Sequence, residues 1–86
     1  MEKYEEIIKM MDALINDRTI PRNIRGAIDE AKNVLINSKD EEVVKISSAI
    51  NILDEITNDP NMPLYARTRI WNIVSRLEEI RTKLEK

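Results

Sequence analysis

The chain has no cysteine and no histidine, and only one glycine and one tryptophan in 86 residues. Each absence removes a class of function. Without cysteine there is no disulfide and no thiolate metal site, and nothing points to an oxidising compartment. Without histidine the usual general base near neutral pH is missing, and a zinc site has no ordinary ligands. A single glycine cannot make the glycine-rich loop that cradles a phosphate. No stretch approaches the roughly 18 uninterrupted apolar residues of a membrane span. The start, Met1-Glu2-Lys3-Tyr4-Glu5-Glu6, is acidic and lacks the apolar core of a signal peptide. The expectation is a soluble cytoplasmic protein with no membrane partner and no cofactor.

What is present suits helices. Apolar residues make up 42% and charged residues 35%, enough for a core in a chain of this size. Three prolines and one glycine leave long stretches without a breaker. Fourteen isoleucines against six leucines make the core largely β-branched, so packing must override helix propensity. Nothing alternates with period two over a useful length.

Four amphipathic stripes follow. Tyr4, Ile7, Ile8, Met11, Leu14 and Ile15 share one face of a first helix, from about Glu2 to Asn16. Ile20, Ile24, Ala27, Ile28, Ala31, Val34 and Leu35 mark a second, entered at Pro21, whose missing N–H costs nothing in a first turn. Gly26 sits inside it at a cost of about 1 kcal/mol relative to alanine, which suggests close approach of a neighbouring backbone. Ser38 or Asp40 is placed to cap a third helix bearing Val43, Ile46, Ala49, Ile50, Leu53 and Ile56. Asn58-Asp59-Pro60-Asn61-Met62-Pro63 is a concentrated turn signal. The fourth helix runs from Pro63 or Leu64 to Lys83, with Ile70, Ile73, Val74, Leu77, Ile80 and Leu84 as its stripe.

The chain also resembles itself at an offset of 42 residues. Asp12 and Leu14 match Asp54 and Ile56. Asn16-Asp17 matches Asn58-Asp59, and Ile20-Pro21 matches Met62-Pro63. Arg25, Ile28 and Leu35 match Arg67, Ile70 and Leu77. Each half is a helix, a turn of the form Asn-Asp-x-x-apolar-Pro, and a second helix. Asp17 and Asp59 can accept from free turn N–H groups, and the arginine one turn beyond each proline can pair with the aspartate. The halves look like HEAT units, but two units are too few for an open solenoid. A closed bundle buries all four stripes. The expected fold is therefore an all-α, up-and-down four-helix bundle, one domain over residues 1–86, built from hairpins 1–38 and 39–86. Charge favours the same order. Residues 1–17, 18–39, 40–59 and 60–86 carry −3, +3, −5 and +3, so like-signed helices belong on the diagonals.

Chemistry is hard to find. Adjacent carboxylates such as Glu41-Glu42 point about 100° apart on a helix and read as solvated faces. Asp12, Asp54 and Glu55 could line a bundle interior, but the Glu-x-x-His pairs of di-metal bundles are missing. Asp59-Pro60-Asn61 lacks the spacing and the central glycine of a calcium loop. Ser47, Ser48 and Ser75 have no activating base. No catalytic residue and no metal site is assigned, and the chain is not expected to be an enzyme.

Two surface features remain. The helix 1–2 and helix 3–4 turns of such a bundle lie at one end, which gathers Arg18, Arg22, Arg25, Arg67 and Arg69. Two helix N-termini there add positive potential, and the cluster could meet a phosphate. The plainer alternative, which we favour at this point, pairs these arginines with Asp17, Asp59 and the acidic helices. Met10, Ile52, Tyr65 and Trp71 lie off the main stripes. They form either a partner or homodimer surface or the flank of a broad core.

The runs Ile15–Arg25, Ile52–Pro63 and Arg67-Thr68 with Ile70–Ser75 resemble a small archaeal family, uncharacterised protein family 0147. The resemblance covers nearly the whole chain. It implies an archaeal cytosolic protein and a bromodomain-like, mirror-image up-and-down bundle. It implies no catalytic residues and no known activity. The leading expectation is a non-enzymatic interaction module for a protein or ribonucleoprotein. Direct RNA or anion binding through the arginine end is the alternative, and a small-molecule or metal-binding bundle comes third.

Overall fold

The computed structural model describes residues 2–85. A 3₁₀ turn over Glu2–Tyr4 leads into α1, Glu5–Ile15, followed by α2, Arg22–Asn37, α3, Glu42–Ile56, and α4, Leu64–Leu84. No strand occurs among the described residues. The helix boundaries follow the local chemistry. Pro21 and Pro63 stand just outside α2 and α4 with φ, ψ of −54°, 146° and −59°, 144°. Their fixed φ and missing N–H suit that place, and their carbonyls take the first helical N–H groups, from Arg25 and Arg67 at 3.1 Å.

The predicted stripes make the core, except for Leu84, which is exposed at the end of α4 where no helix among the described residues packs over it. Met11, Leu14, Ile24, Ile28 and Leu35 of the first half are buried, as are Ile46, Leu53, Ile70, Ile73 and Leu77 of the second. Fully burying each such side chain is worth about 1.5–3 kcal/mol. Met62 and Ala66, at the second turn and the start of α4, join them although no stripe marked them. Ile8, Met10, Ile15, Ile52, Ile56 and Ile80 pack half-buried against this core.

Helices adjacent in the chain pack together, and α1 also packs on α4. That last contact is absent from an open solenoid. The backbones of α1 and α3, and of α2 and α4, do not approach among the described residues. The like-signed segments are thus kept apart, as the charge series expects. One diagonal is still bridged at its tip. Lys3 Nζ and Tyr4 Oη donate to Glu42 Oε2 at 2.6 and 2.8 Å, and the Lys45 ammonium lies 6.0 Å from the Tyr4 ring centre. Burial raises the Tyr4 pKa well above a tyrosine's ordinary value, and bonding to Glu42 adds to the shift.

Two local expectations fail. Gly26 faces open space: a Cβ built there meets nothing within 4 Å, so no neighbouring backbone explains it. Neither Ser38 nor Asp40 caps α3. They bond to each other, through Asp40 N to Ser38 Oγ at 3.1 Å and Ser38 Oγ to Asp40 Oδ2 at 3.1 Å. Glu41 takes the cap position in extended geometry, so both side chains lie too early to reach the helix.

Candidate interaction surface at the paired turns

The two turns repeat one set of backbone bonds at the 42-residue offset. Ile20 N donates to Asp17 O at 3.1 Å, and Met62 N to Asp59 O at 3.2 Å. Asp17 Oδ1 accepts from Thr19 N at 2.9 Å, and Asp59 Oδ1 from Asn61 N at 2.8 Å. Each aspartate therefore holds its own turn closed, as the sequence suggests. The other oxygen of each reaches across to the opposite half. Tyr65 Oη donates to Asp17 Oδ2 at 2.5 Å, and Asn23 Nδ2 to Asp59 Oδ2 at 2.9 Å. Asn23 and Tyr65 are themselves 42 residues apart, so the exchange is reciprocal. Asp17 is held below its ordinary aspartate pKa, first by the Thr19 hydroxyl at 2.6 Å and then by Tyr65.

The arginines divide into two groups. Arg25 and Arg67 are half-buried and bond to backbone carbonyls, not to the aspartates. Arg25 Nε donates to Ile20 O at 3.0 Å. Arg67 donates from Nε to Thr57 O and from Nη2 to Asp59 O, both at 3.1 Å. The expected Arg–Asp pairing fails because turn N–H groups and cross-turn donors already occupy the carboxylates. The guanidinium groups instead serve turn carbonyls, among them Thr57 O just past the last residue of α3. Arg18, Arg22 and Arg69 are exposed and form no ion pair among the described residues. Arg69 lies with its guanidinium carbon 5.8 Å from the Tyr65 ring centre.

The expected contribution from helix N-termini is offset. α1 and α3 end where α2 and α4 begin, so opposite dipole ends meet there. The positive potential rests on side chains: five arginines against Asp17 and Asp59. At the other end, residues 3–6, 38–45 and 78–85 hold eight carboxylates and five cations. The molecule extends 37 Å along its long axis, so the two charge zones are well separated.

The four off-stripe residues do not share one surface. Met10 lines a groove between α1 and α4, and Ile52 one between α2 and α3. Tyr65 belongs to the paired turns. Trp71, 53% exposed, is six residues further along α4, about 120° away around the helix. Leu64, 72% exposed, stands seven residues before Trp71 and shares its side. Sequence reasoning missed Leu64, although the seven-residue spacing was visible. It also missed Asn23, whose partner lies 36 residues away.

Comparison with known proteins adds a lineage. The profile of an uncharacterised protein family, UPF0147, matches residues 1–80. The chain belongs to UPF0147. A UPF0147 protein of Methanocaldococcus jannaschii is 53% identical over 81 residues, covering 90% of this chain and 87% of that one. A Pyrococcus horikoshii member is 43% identical over 81 residues, covering 93% and 87%. Two crystal structures share the fold at TM-score 0.84. One, the unknown-function protein MMP1188, is 50% identical and covers 88% of this chain and 86% of its own. The other, a UPF0147 protein of Thermoplasma acidophilum, is 31% identical with 91% and 92% covered. The family is uncharacterised, and no residue roles come with it.

Proposed function

We propose that this UPF0147 member is a non-enzymatic cytoplasmic binding module. It docks its arginine end on the phosphate backbone of RNA within a ribonucleoprotein. The fold behind this reading is the up-and-down bundle of two hairpins, with the bromodomain-like mirror topology that the family resemblance implies. What supports the docking surface is one observation. Arg18, Arg22 and Arg69 are exposed and have no ion-pair partner among the described residues, while Asp17 and Asp59, the carboxylates of that end, accept hydrogen bonds from their own turn and from across it. Fixed cations beside already satisfied anions suit a polyanion, because binding releases its counterions without first breaking an internal pair.

Fluorescence anisotropy with a single-stranded RNA across a salt series tests the reading. Three phosphate contacts give log K against log salt a slope of about −2, at roughly −0.7 per contact on single strands. Arg22→Glu combined with Arg69→Glu abolishes binding. Unchanged affinity in that double variant overturns the proposal. A second reading rests on Leu64 and Trp71, an exposed apolar pair on one side of α4. It makes that face a protein or homodimer contact. Sedimentation of the wild type beside Trp71→Ser decides it, and a concentration-independent monomer that captures nothing ends it.

A further inference from the structure

The fold contains two grooves related by the 42-residue repeat. One lies between α1 and α4 and is lined by Lys9, Met10, Ala13 and Arg69, with Glu6 on its edge. The other lies between α2 and α3, with Ala27, Ile52 and Ile56 as its floor and Glu30, Glu55 and Asp59 on its rim. Met10 corresponds to Ile52, Ala13 to Glu55, and Arg69 to Ala27. The α1–α4 groove thus carries its own guanidinium, lying over the Tyr65 ring beside Asp17. In the α2–α3 groove that position is an alanine, while Ile52 keeps the apolar character of Met10. Carboxylates are added as well, with Glu30 where the twin has Asn72 and Glu55 where it has Ala13. Neither Glu30 nor Glu55 forms an ion pair among the described residues. Among the described residues no group of three or more carboxylates is gathered as metal ligands would be.

We infer that the α2–α3 groove is a docking site for a basic polypeptide segment, which seats an arginine where Arg69 sits in the twin groove and an apolar side chain on Ala27, Ile52 and Ile56. The chemistry of the occupant is read from the molecule itself. The same groove, built twice, is served once by an internal arginine and once has an acidic rim lined by no cation among the described residues. A guanidinium can take two carboxylate oxygens at once, and its stem can lie on the apolar floor. A bare polyanion is repelled by the same rim. This groove and the arginine end therefore select opposite partners.

The test is an amide NMR titration of the full chain with the peptide acetyl-Leu-Arg-Ala-Leu-Arg-amide, and with its glutamate-for-arginine counterpart as control. The arginine peptide shifts Ala27, Glu30, Ile52 and Glu55 saturably, and the glutamate peptide does not. Ala27→Arg, which supplies the missing guanidinium internally, weakens binding by about tenfold, the loss of one charge-assisted contact. The isosteric pair Glu30→Gln and Glu55→Gln weakens it similarly without filling the groove. Arg22→Glu does not weaken it, which separates this site from the RNA reading. Shifts spread equally over Asp40–Glu42, or affinity unchanged in both groove variants, overturn the inference.

Discussion

At residues 16–25 the chain turns with Thr19 on Asp17 and Arg25 on one carbonyl. At residues 58–67 it turns with Asn61 on Asp59 and Arg67 on two. From Asp17 and Asp59 onward the backbone bonds agree position by position. One residue earlier Asn16 N reaches Asp12 O while Asn58 N reaches Glu55 O, and the side chains differ as well. The cross-turn donor is an amide in one half and a phenol in the other. The difference separates what the hairpin needs in order to fold from what each copy is free to vary. Aspartate, proline and arginine recur because they satisfy local backbone groups. The residues that diverge, Asn23 and Tyr65 or Ala27 and Arg69, lie between the hairpins or in the grooves.

The sharpest way to break the symmetry is at the two arginines. Arg67→Met removes bonds to Thr57 and Asp59, where α3 ends, and is expected to cost about 2–3 kcal/mol in urea unfolding. Arg25→Met removes one bond to Ile20 and is expected to cost about 1 kcal/mol. Equal losses would mean that the carbonyl pairing does not distinguish the turns.

A smaller effect, of opposite sign, comes from the helices after the turns. Gly26 has Thr68 as its counterpart, so the other copy tolerates a side chain there. With open space around it and no positive φ, Gly26→Ala is expected to stabilise by about 0.5–1 kcal/mol. Thermal unfolding checks it, and a loss would point to a contact at that position.

The smallest effect is a pH dependence. The Asp17 pKa is depressed in the folded state, so its contribution is present above the unfolded value. It is lost as pH falls through the folded one. Tyr65→Phe removes one of the causes and moves the folded value up toward the ordinary one. Stability of the variant should then depend less on pH below about pH 4. Carbon NMR titration of the Asp17 carboxyl checks the shift directly. Asn23→Ala should leave the Asp17 titration unmoved, because its partner is Asp59.

Much of the fold was legible because its causes are local. The spacing of Ile7, Met11 and Leu14, or of Ile46, Ala49 and Leu53, places them on one helix face whatever surrounds the helix. The proline turns declared themselves, and the offset of 42 tied them together. The candidate surfaces were legible only as a list. Which of Arg18, Arg22, Arg25, Arg67 and Arg69 are consumed internally depends on which turn carbonyls come within reach of a guanidinium, and no periodicity shows that. Trp71 and Tyr65 looked like one patch in the sequence, yet a helix carries them about 120° apart.

By itself, then, the sequence determined four helices, two prolyl turns, the buried stripes and the family, since each follows from residues close in the chain or from likeness along it. Only the tertiary structure decided that Tyr65 meets Asp17 and Asn23 meets Asp59. It also decided that Arg25 and Arg67 face inward, and that one groove carries a guanidinium while its twin has an open acidic rim. Those outcomes depend on how two amphipathic hairpins rotate against each other, and that rotation is set by the packing of both halves at once.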